Sequence, residues 1–240
     1  MQRTMVPVSD KPTPAFTRLE LLACLGAIAL FGAVILPTLA SSASRGDRVV
    51  CFNNLRQIGV AYGQFGLEHG DLPPWRVTTL EGGNTNHPLK NNLAVQFSAL
   101  SNGLMTPKVL ADPGDQRIGL RVANNWGAGS GGLLSPAITQ NGISYFLGLD
   151  GSFRVPPSIL AGDRNVKAQT GLGCSSGVVP ASQIITSNPW TNDVHGLAGN
   201  IVLFDGSAAQ VDSRGLEDAL KAAARGEADD AGSRGHILVP

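Results

Sequence analysis

Charge is scarce in this chain of 240 residues, and neither sign is in excess. Lys and Arg together number 18, as do Asp and Glu, so the formal net charge is zero. Charged residues make up 15% of the chain, compared with about 25% in typical soluble domains. No cluster of Lys or Arg supplies the basic face that an electrostatic nucleic-acid binder requires. We therefore expect no nucleic-acid partner.

Cysteines and catalytic motifs are scarce as well. The three cysteines, Cys24, Cys51 and Cys174, are too few for a disulfide framework and match no zinc-binding spacing. At most one bridge, between Cys51 and Cys174, is possible, because Cys24 lies inside an apolar segment. The Gly-rich stretch NNWGAGSGG lacks the Lys-Ser/Thr of a phosphate loop, and no Gly-x-Ser-x-Gly elbow of the hydrolase kind is present.

The uncharged segment near the N-terminus runs from Leu21 to Ala40. A helix of that length spans about 30 Å, the thickness of the hydrocarbon core of a bilayer. A cleaved secretory signal peptide is the alternative, but its apolar region normally has about 7–15 residues. Here the run is longer, and Glu20 directly precedes it. The segment therefore predicts a transmembrane helix.

The residues PAFTRLELLACLGAIALFGAVILPTLA resemble the N-terminus of type IV pilins and of type II secretion pseudopilins. In that family a short polar leader is cut after a small residue, usually Gly, and the new N-terminal Phe is methylated. The resemblance implies that a prepilin peptidase cuts between Ala15 and Phe16 and methylates Phe16. Two residues depart from the pattern: Ala15 replaces the usual Gly, and Arg18 adds a charge beside Glu20.

Glu20 and Pro37 take their expected roles from the same resemblance. Glu20 is the fifth mature residue, and the family mechanism pairs this acid with the α-amine of Phe16 on a neighbouring subunit, which sets the subunit register. The alternative is an interfacial acid outside a plain anchor helix. Pro37 stands where family members often carry a proline that kinks the helix, because proline lacks a backbone donor and clashes with the carbonyl four residues earlier.

The chain after Pro37 continues a helical pattern and then turns to strand patterns. Strands are predicted in ISYFLGL, SILAGDRN and NIVLFDGSAAQVD, the last forming a hairpin around Asp205-Gly206. Ser213 is expected to cap a closing helix, and Asp163 and Arg164 to form a local ion pair or to fix a turn. The apolar residues that predict the amphipathic helix lie at spacings of three to five; they are Val50, Leu55, Ile58, Tyr62 and Phe65.

The stretch CFNNLRQIGVAYGQF resembles a subgroup of large bacterial prepilin-like proteins, in which Cys-x-Asn-Asn-Leu-Arg-Gln follows the anchor helix. In that subgroup a second cysteine usually stands in a Cys-Pro-Ser-Asp phrase. The corresponding position here is Ala111-Asp112-Pro113, so the usual bridge or metal partner of Cys51 is missing. We therefore expect Cys51 and Cys174 to be free.

His195 is followed by nine residues and then by Asp205-Gly206, which resembles the His-x9-Asp-Gly motif of the same subgroup. That motif has no established catalytic role, and a hydrogen bond from His195 to Asp205 would tie two loop ends together. A hydrolase triad with a nucleophile from residues 174–176 is the weaker alternative. We therefore expect no enzyme.

No metal or cofactor is expected either. Calcium is the alternative, because hard cations take carboxylate oxygens and some pseudopilins bind calcium in a C-terminal loop. The residues that would surround it are Asp193, Asp205, Asp212 and His195. Because the EF-hand spacing is absent, aspartates that form turns are the simpler explanation.

These patterns predict an α+β fold, in which a long N-terminal transmembrane and amphipathic helix packs on a C-terminal antiparallel sheet within a loop-rich, pilin-like head. The predicted parts are a leader over 1–15, a transmembrane helix over 16–40, an amphipathic continuation over 41–71, a head over 72–224 and a disordered tail over 225–240.

The resemblance implies a single-pass inner-membrane protein with a periplasmic head, serving as a subunit of a type II secretion pseudopilus or a related type IV pilus-like fibre. Its implied partners are prepilin peptidase, other pilin-like subunits and the inner membrane. The alternative is a non-polymerising, membrane-anchored extracytoplasmic binding protein that uses the prepilin signal for export.

Overall fold

The computed structural model describes residues 17–115, 117, 121–167, 178–180, 184, 189–224 and 236–240, without the side chains of residues 34, 36–44 and 222–224. The chain divides into two compact units, Met1–Ala43 and Ser44–Pro240. The α-helices of the described part are α1 (Arg18–Glu68), α2 (Leu93–Ser98), α3 (Ser101–Leu104) and α4 (Ser213–Ala224). The strands are β1 (Tyr145–Gly148), β2 (Ile159–Asp163), β3 (Val178–Pro180), β4 (Gly199–Leu203), β5 (Ala208–Val211) and β6 (His236–Leu238).

A reciprocal capping box starts α1. The hydroxyl oxygen of Thr17 accepts a hydrogen bond from the backbone N–H of Glu20 at 3.2 Å, and the Thr17 backbone N–H donates to Glu20 Oε2 at 2.8 Å. The Thr17 hydroxyl also donates to Glu20 Oε2 at 2.9 Å. This pairing satisfies backbone donors that have no partner within the helix. Glu20 therefore has a local structural role that the sequence motif did not predict.

The predicted transmembrane helix is wrong. A bilayer span requires about 20 consecutive, predominantly apolar residues, and no helix in the part of the chain that the structure describes is both long and apolar enough. The expected membrane span over 16–40 and the expected single-pass inner-membrane location both depend on such a helix, so they are wrong as well. The α+β class and the antiparallel sheet are present, and the backbone of α1 is helical from Arg18 to Glu68, through Pro37.

The strands form one sheet in the order β3-β6-β1-β2-β4-β5, and each neighbouring pair is antiparallel. The predicted hairpin is confirmed: β4 and β5 pair from Gly199↔Val211 to Val202↔Ala208. Gly206 has a φ of 80° in the hairpin turn, a left-handed conformation that glycine adopts without steric cost.

Two elements near the C-terminus differ from the prediction. Residues His236–Leu238 were expected in a disordered tail but form β6, between β3 and β1. The carboxylate of Asp150 holds this strand, since its Oδ2 accepts a hydrogen bond from the His236 backbone N–H at 2.6 Å.

The cap of α4 is Asp212 rather than Ser213, because Asp212 Oδ1 accepts from the backbone N–H of Gly215 at 2.9 Å.

The sheet separates two apolar cores. Successive residues of a strand point to opposite faces, so Tyr145 and Leu147 lie in the core that contains α1 residues of the Ser44–Pro240 unit, and Phe146 lies in the other. The second core is closed by α4, whose Leu216 and Leu220 are buried. This arrangement places the larger core, and the site described below, between α1 and the sheet.

Five buried residues of α1 form a seam at alternating spacings of four and three, with Asn54 and Ala61 buried beside it. The five are Cys51, Leu55, Ile58, Tyr62 and Phe65. The predicted face began at Val50, but 43% of Val50 is exposed, and Cys51 occupies the first buried position. A helical period of 3.6 residues places position 51, four residues before Leu55, on the same face. The pattern favoured Val50 because valine is the more obviously apolar residue.

Replacing Leu55 by Ala tests the seam. Leu55 is fully buried, and a buried Leu→Ala change leaves a cavity that costs about 2–5 kcal/mol. Urea unfolding should show a loss of free energy of unfolding in that range. The control is Val60→Ala on the same helix, where 59% of the side chain is exposed, and it should change stability by less than about 0.5 kcal/mol. Equal losses for the two variants would contradict the assigned seam.

Candidate functional site

Four side chains with metal-ligating atoms converge inside the Ser44–Pro240 unit. Cys51 comes from α1, Asp112 from the loop after a 3₁₀ turn, Asp163 from the end of β2, and His195 from the loop before β4. One ligand atom from each lies within 4.8 Å of those of the other three. All four residues are buried, and the most exposed, His195, is only 4% exposed. Four distant parts of the sequence therefore meet at one point.

Asp163 is held through both carboxylate oxygens. Its Oδ1 accepts a hydrogen bond from the Cys51 thiol, with 2.7 Å between sulfur and oxygen. Its Oδ2 accepts from the backbone N–H of Asn200 at 2.7 Å and from Asn200 Nδ2 at 3.2 Å. Because Asn200 belongs to β4, which pairs with β2, the sheet itself fixes the orientation of this carboxylate.

Asp112 is oriented by its own turn. Its Oδ1 accepts a hydrogen bond from the backbone N–H of Gly114 at 2.7 Å, and its backbone carbonyl accepts from the N–H of Asp115 at 3.0 Å. A Cβ atom at position 114 would lie 3.2 Å from Cε1 of His195, so glycine allows the turn to approach the imidazole closely. The second carboxylate oxygen, Oδ2, is left facing His195.

The His195 imidazole lies against both carboxylates. Its Nε2 is 2.8 Å from Asp112 Oδ2 and 3.6 Å from Asp163 Oδ2. The contact with Asp112 is an ion pair when the imidazole is protonated, and neither of its two atoms has a hydrogen bond to any other described residue. The Arg48 guanidinium donates to the His195 backbone carbonyl, and Asn165 Nδ2 donates to the carbonyl of Gly196 at 3.3 Å. These bonds fix the loop that carries the imidazole.

Burial and neighbouring charges shift the protonation of the cluster. Burial raises the pKa of Asp163 to about 6, although the hydrogen bonds from Cys51 and Asn200 act in the opposite direction. Burial, and then the charges of Asp163 and Asp112, raise the pKa of the Cys51 thiol far above its usual range. Burial lowers the pKa of His195, but the adjacent carboxylates outweigh it and the net shift is upward. Each shift favours the protonated form of its group, for Asp163 and Cys51 chiefly because burial disfavours their negative charge.

A separate ion-pair network surrounds Asp115, whose backbone N–H closes the Asp112 turn. Arg164 binds Asp115 with two hydrogen bonds, of 2.6 Å from Nε and 2.5 Å from a terminal nitrogen. Ser144 and Arg117 also donate to this carboxylate, at 2.8 and 3.1 Å. Arg164 therefore pairs with Asp115 from a distant segment, so of the two roles expected for Asp163 and Arg164 the local ion pair is wrong.

The residues of the pilin-like motif lie in or before α1. Glu20 is exposed in its first turn. Pro37 lies within the helical backbone of α1, and its side chain is not described. Ala15 and Phe16 lie outside the described residues, so their processing stays a prediction.

The expected hydrogen bond between His195 and Asp205 is wrong. Asp205 lies in the turn between β4 and β5, where its Oδ1 accepts from the backbone N–H of Ser207 at 2.8 Å and from its hydroxyl at 2.5 Å. His195 lies before β4 and faces Asp112 and Asp163 instead. Gly206 serves the turn, so the two halves of the motif have separate structural roles.

The structure does not gather the alternative calcium ligands. Asp193 accepts a hydrogen bond from the Thr191 hydroxyl at 2.8 Å, and Asp205 and Asp212 serve a turn and a helix cap. Within the described ranges, the ligand cluster that contains His195 includes none of these aspartates. Residues 174–176, the alternative nucleophiles, lie outside the described residues.

Cys51, Asp112 and Asp163 are site residues that the sequence did not identify together. The one pointer was the alignment of Ala111-Asp112-Pro113 with the position of the second cysteine of the prepilin-like subgroup. A donor set of one thiol, one imidazole and two carboxylates could hold a metal ion. A comparison of the chain with known protein families, with curated proteins and with solved structures finds no match.

Changing Asp115 to Asn tests the ion-pair network through its pH dependence. Burial raises the pKa of Asp115, but hydrogen bonds from Arg164, Ser144 and Arg117 lower it more, from 3.8 to about 2. The ionised carboxylate therefore stabilises the fold above pH 4, and this stabilisation is lost as the pH falls towards 2. In the variant, the free energy of unfolding at neutral pH should fall by about 3–5 kcal/mol, because Arg164 loses its partner.

The measurement is urea unfolding at pH 7, 4 and 3. The difference between the wild-type chain and Asp115→Asn should shrink as the pH falls. Asp218→Asn on the exposed face of α4 is the matched control and should stay within about 0.5 kcal/mol of wild type at each pH. A difference that does not change with pH would show that the Asp115 carboxylate does not carry the effect.

Proposed function

We propose that this chain is a prepilin-like subunit of a type II secretion pseudopilus or a related pilus-like fibre, cut between Ala15 and Phe16 by a prepilin peptidase. The observation that carries the proposal is the apolar surface on the first part of α1. Large apolar side chains are exposed there over more than four helical turns. They are Leu19, Leu21, Leu22, Leu25, Ile28, Leu30, Phe31 and Ile35.

The apolar side chains of this surface have to be shielded from water on all sides of the helix. At 3.6 residues per turn, the eight side chains fall around the whole circumference of the helix rather than on one stripe. A helix that is apolar all round is normally buried, and a single partner packed against one side would leave the others in water. Several copies of the same helix packed together would cover every side. Assembly into a fibre with a core of helices meets this requirement.

Glu20 supplies the charge that the fibre mechanism needs. Its carboxylate lies in the first turn of α1, and the hydrogen bonds from Thr17 lower its pKa, so it is ionised at neutral pH. Cleavage after Ala15 would create a positive α-amine on Phe16. Pairing of this amine with Glu20 of an adjacent copy would fix the axial register of apolar helices, which apolar contacts alone specify poorly.

Processing is tested by the mass of the N-terminus after co-expression with a prepilin peptidase. We expect a chain that begins at N-methylated Phe16. Ala15→Gly, which restores the usual residue, should be cut at least as well, whereas the bulky side chain of Ala15→Leu should block cleavage. An intact Met1 in the presence of active peptidase, or a cut after Ala40, would overturn this part of the proposal.

Assembly is tested by separating the two roles of Glu20. Glu20→Gln keeps a side chain that can complete the capping box but removes the charge, and Thr17→Ala removes the cap but keeps the charge. We expect the processed Thr17→Ala chain to form fibres visible by electron microscopy and the Glu20→Gln chain to remain unassembled. If the processed wild-type chain stays monomeric, or Glu20→Gln assembles normally, the proposed pairing is wrong.

A further inference from the structure

Two atoms of the buried cluster have each other as a close polar contact but no other hydrogen-bond partner. Asp112 Oδ2 and His195 Nε2 lie 2.8 Å apart and form no hydrogen bond with any other described residue, although both residues are more than nine-tenths buried. An unsatisfied buried polar group costs about 1–3 kcal/mol, and more when it is charged. Both atoms point towards the space that Cys51 and Asp163 also face. A ligand in that space would satisfy both.

The spacing of the four donor atoms suits one metal ion. Zinc lies about 2.3 Å from sulfur and about 2.0–2.2 Å from nitrogen or oxygen, so the donors of a tetrahedral site are about 3.3–3.7 Å apart. Here the closest donor pairs are 2.7 Å (Cys51 to Asp163) and 2.8 Å (Asp112 to His195), and all four lie within 4.8 Å. An ion would have to separate the closest pairs by only about 1 Å.

The surrounding hydrogen bonds already orient the ligands. One oxygen of Asp112 is taken by the Gly114 N–H, and one oxygen of Asp163 is taken by Asn200. Asp112 therefore offers Oδ2 to the centre, and Asp163 offers Oδ1 once the Cys51 thiol has given up the proton that it donates to this oxygen. Such outer hydrogen bonds are typical of metal sites, where they fix the orientation of the ligands.

The charge of the cluster also calls for a cation. With the Cys51 thiol protonated, the two carboxylates carry two negative charges when both are ionised, and burial of like charges without compensation is costly. A divalent ion would displace the thiol proton of Cys51 into solvent and leave one negative charge. The Arg48 guanidinium is bound to the backbone carbonyl of His195, close enough for its positive charge to act on that imidazole.

We propose that Cys51, Asp112, Asp163 and His195 bind one zinc ion in a closed, four-coordinate structural site. Sulfur and imidazole donors favour zinc over calcium or magnesium, which take oxygen ligands. Four protein ligands leave no open position of the kind that catalytic zinc sites keep for water. The ion would link α1, the Asp112 turn, the end of β2 and the loop before β4. This site does not depend on the fibre proposal.

The first test measures metal content and stability of the full-length chain, purified without a histidine tag. We expect about one zinc per chain, removal of that zinc by a chelator with a lower melting temperature, and recovery when zinc is added back. Calcium at the same concentration should not restore the melting temperature. A chain that takes up no stoichiometric zinc, or that calcium stabilises equally well, would overturn the assignment.

Cobalt substitution identifies the ligands by spectroscopy. The cobalt-loaded wild-type chain should show a sulfur-to-cobalt charge-transfer band and the intense visible bands of a tetrahedral site. Cys51→Ser should abolish the charge-transfer band and weaken zinc binding by at least about 100-fold. Cys24→Ser, which changes an exposed cysteine of the same helix, is the matched control and should change neither. Persistence of the band in Cys51→Ser would place the thiolate ligand elsewhere.

A second pair of variants keeps the test independent of misfolding. Asp112→Asn has nearly the same shape and can still accept the hydrogen bond from Gly114, so its fold should persist while zinc binding weakens at least about 10-fold. Asp205→Asn, at the aspartate of the His-x9-Asp-Gly pattern that begins with His195, should bind zinc as wild type does. If the two variants bind zinc equally, Asp112 is not a ligand and the site is wrong as assigned.

Discussion

The side chain of Asp163 lies at the end of a central strand and is buried. Removing its carboxylate from water costs free energy, and the groups around it offset this cost. Asn200 donates two hydrogen bonds from β4, the Cys51 thiol donates one from α1, and the His195 imidazole lies beside it. An unpaired buried charge costs several kcal/mol. The same contacts that offset this cost therefore join the helix, two strands and a loop at one point.

Local patterns predicted the local parts of this fold well. The hairpin around Asp205-Gly206 and the strands over YFLG and ILAGD are set by alternation and turn residues within a few positions. The insertion of β6 between β3 and β1 was not predictable in this way, because the strand is held by Asp150 from a distant segment. The shift of the α1 seam from Val50 to Cys51 has the same origin, since only the packed partner decides which neighbour is buried.

The buried cluster shows why the site was harder to predict than the fold. Spacing rules for metal sites apply to ligands on one loop or helix, whereas these four donors come from four segments between residues 51 and 195. The expected pairing of His195 with Asp205 could have been rejected from the sequence alone. The strand β4, Gly199–Leu203, lies between the two residues, and five extended residues span about 17 Å. Residues at opposite ends of such a strand cannot share a hydrogen bond.

The two parts of α1 differ in how their apolar side chains are distributed around the helix. From residue 51 onwards a single face is buried, so packing against the sheet is sufficient. Between Leu19 and Ile35 the exposed apolar side chains point in all directions, so packing against one face cannot bury them all. Cys51 is the first buried residue of the seam, and the end of a packed segment is where local unfolding begins. A metal ion bound at Cys51 would fasten the helix to β2 at that end, where apolar packing alone holds it least.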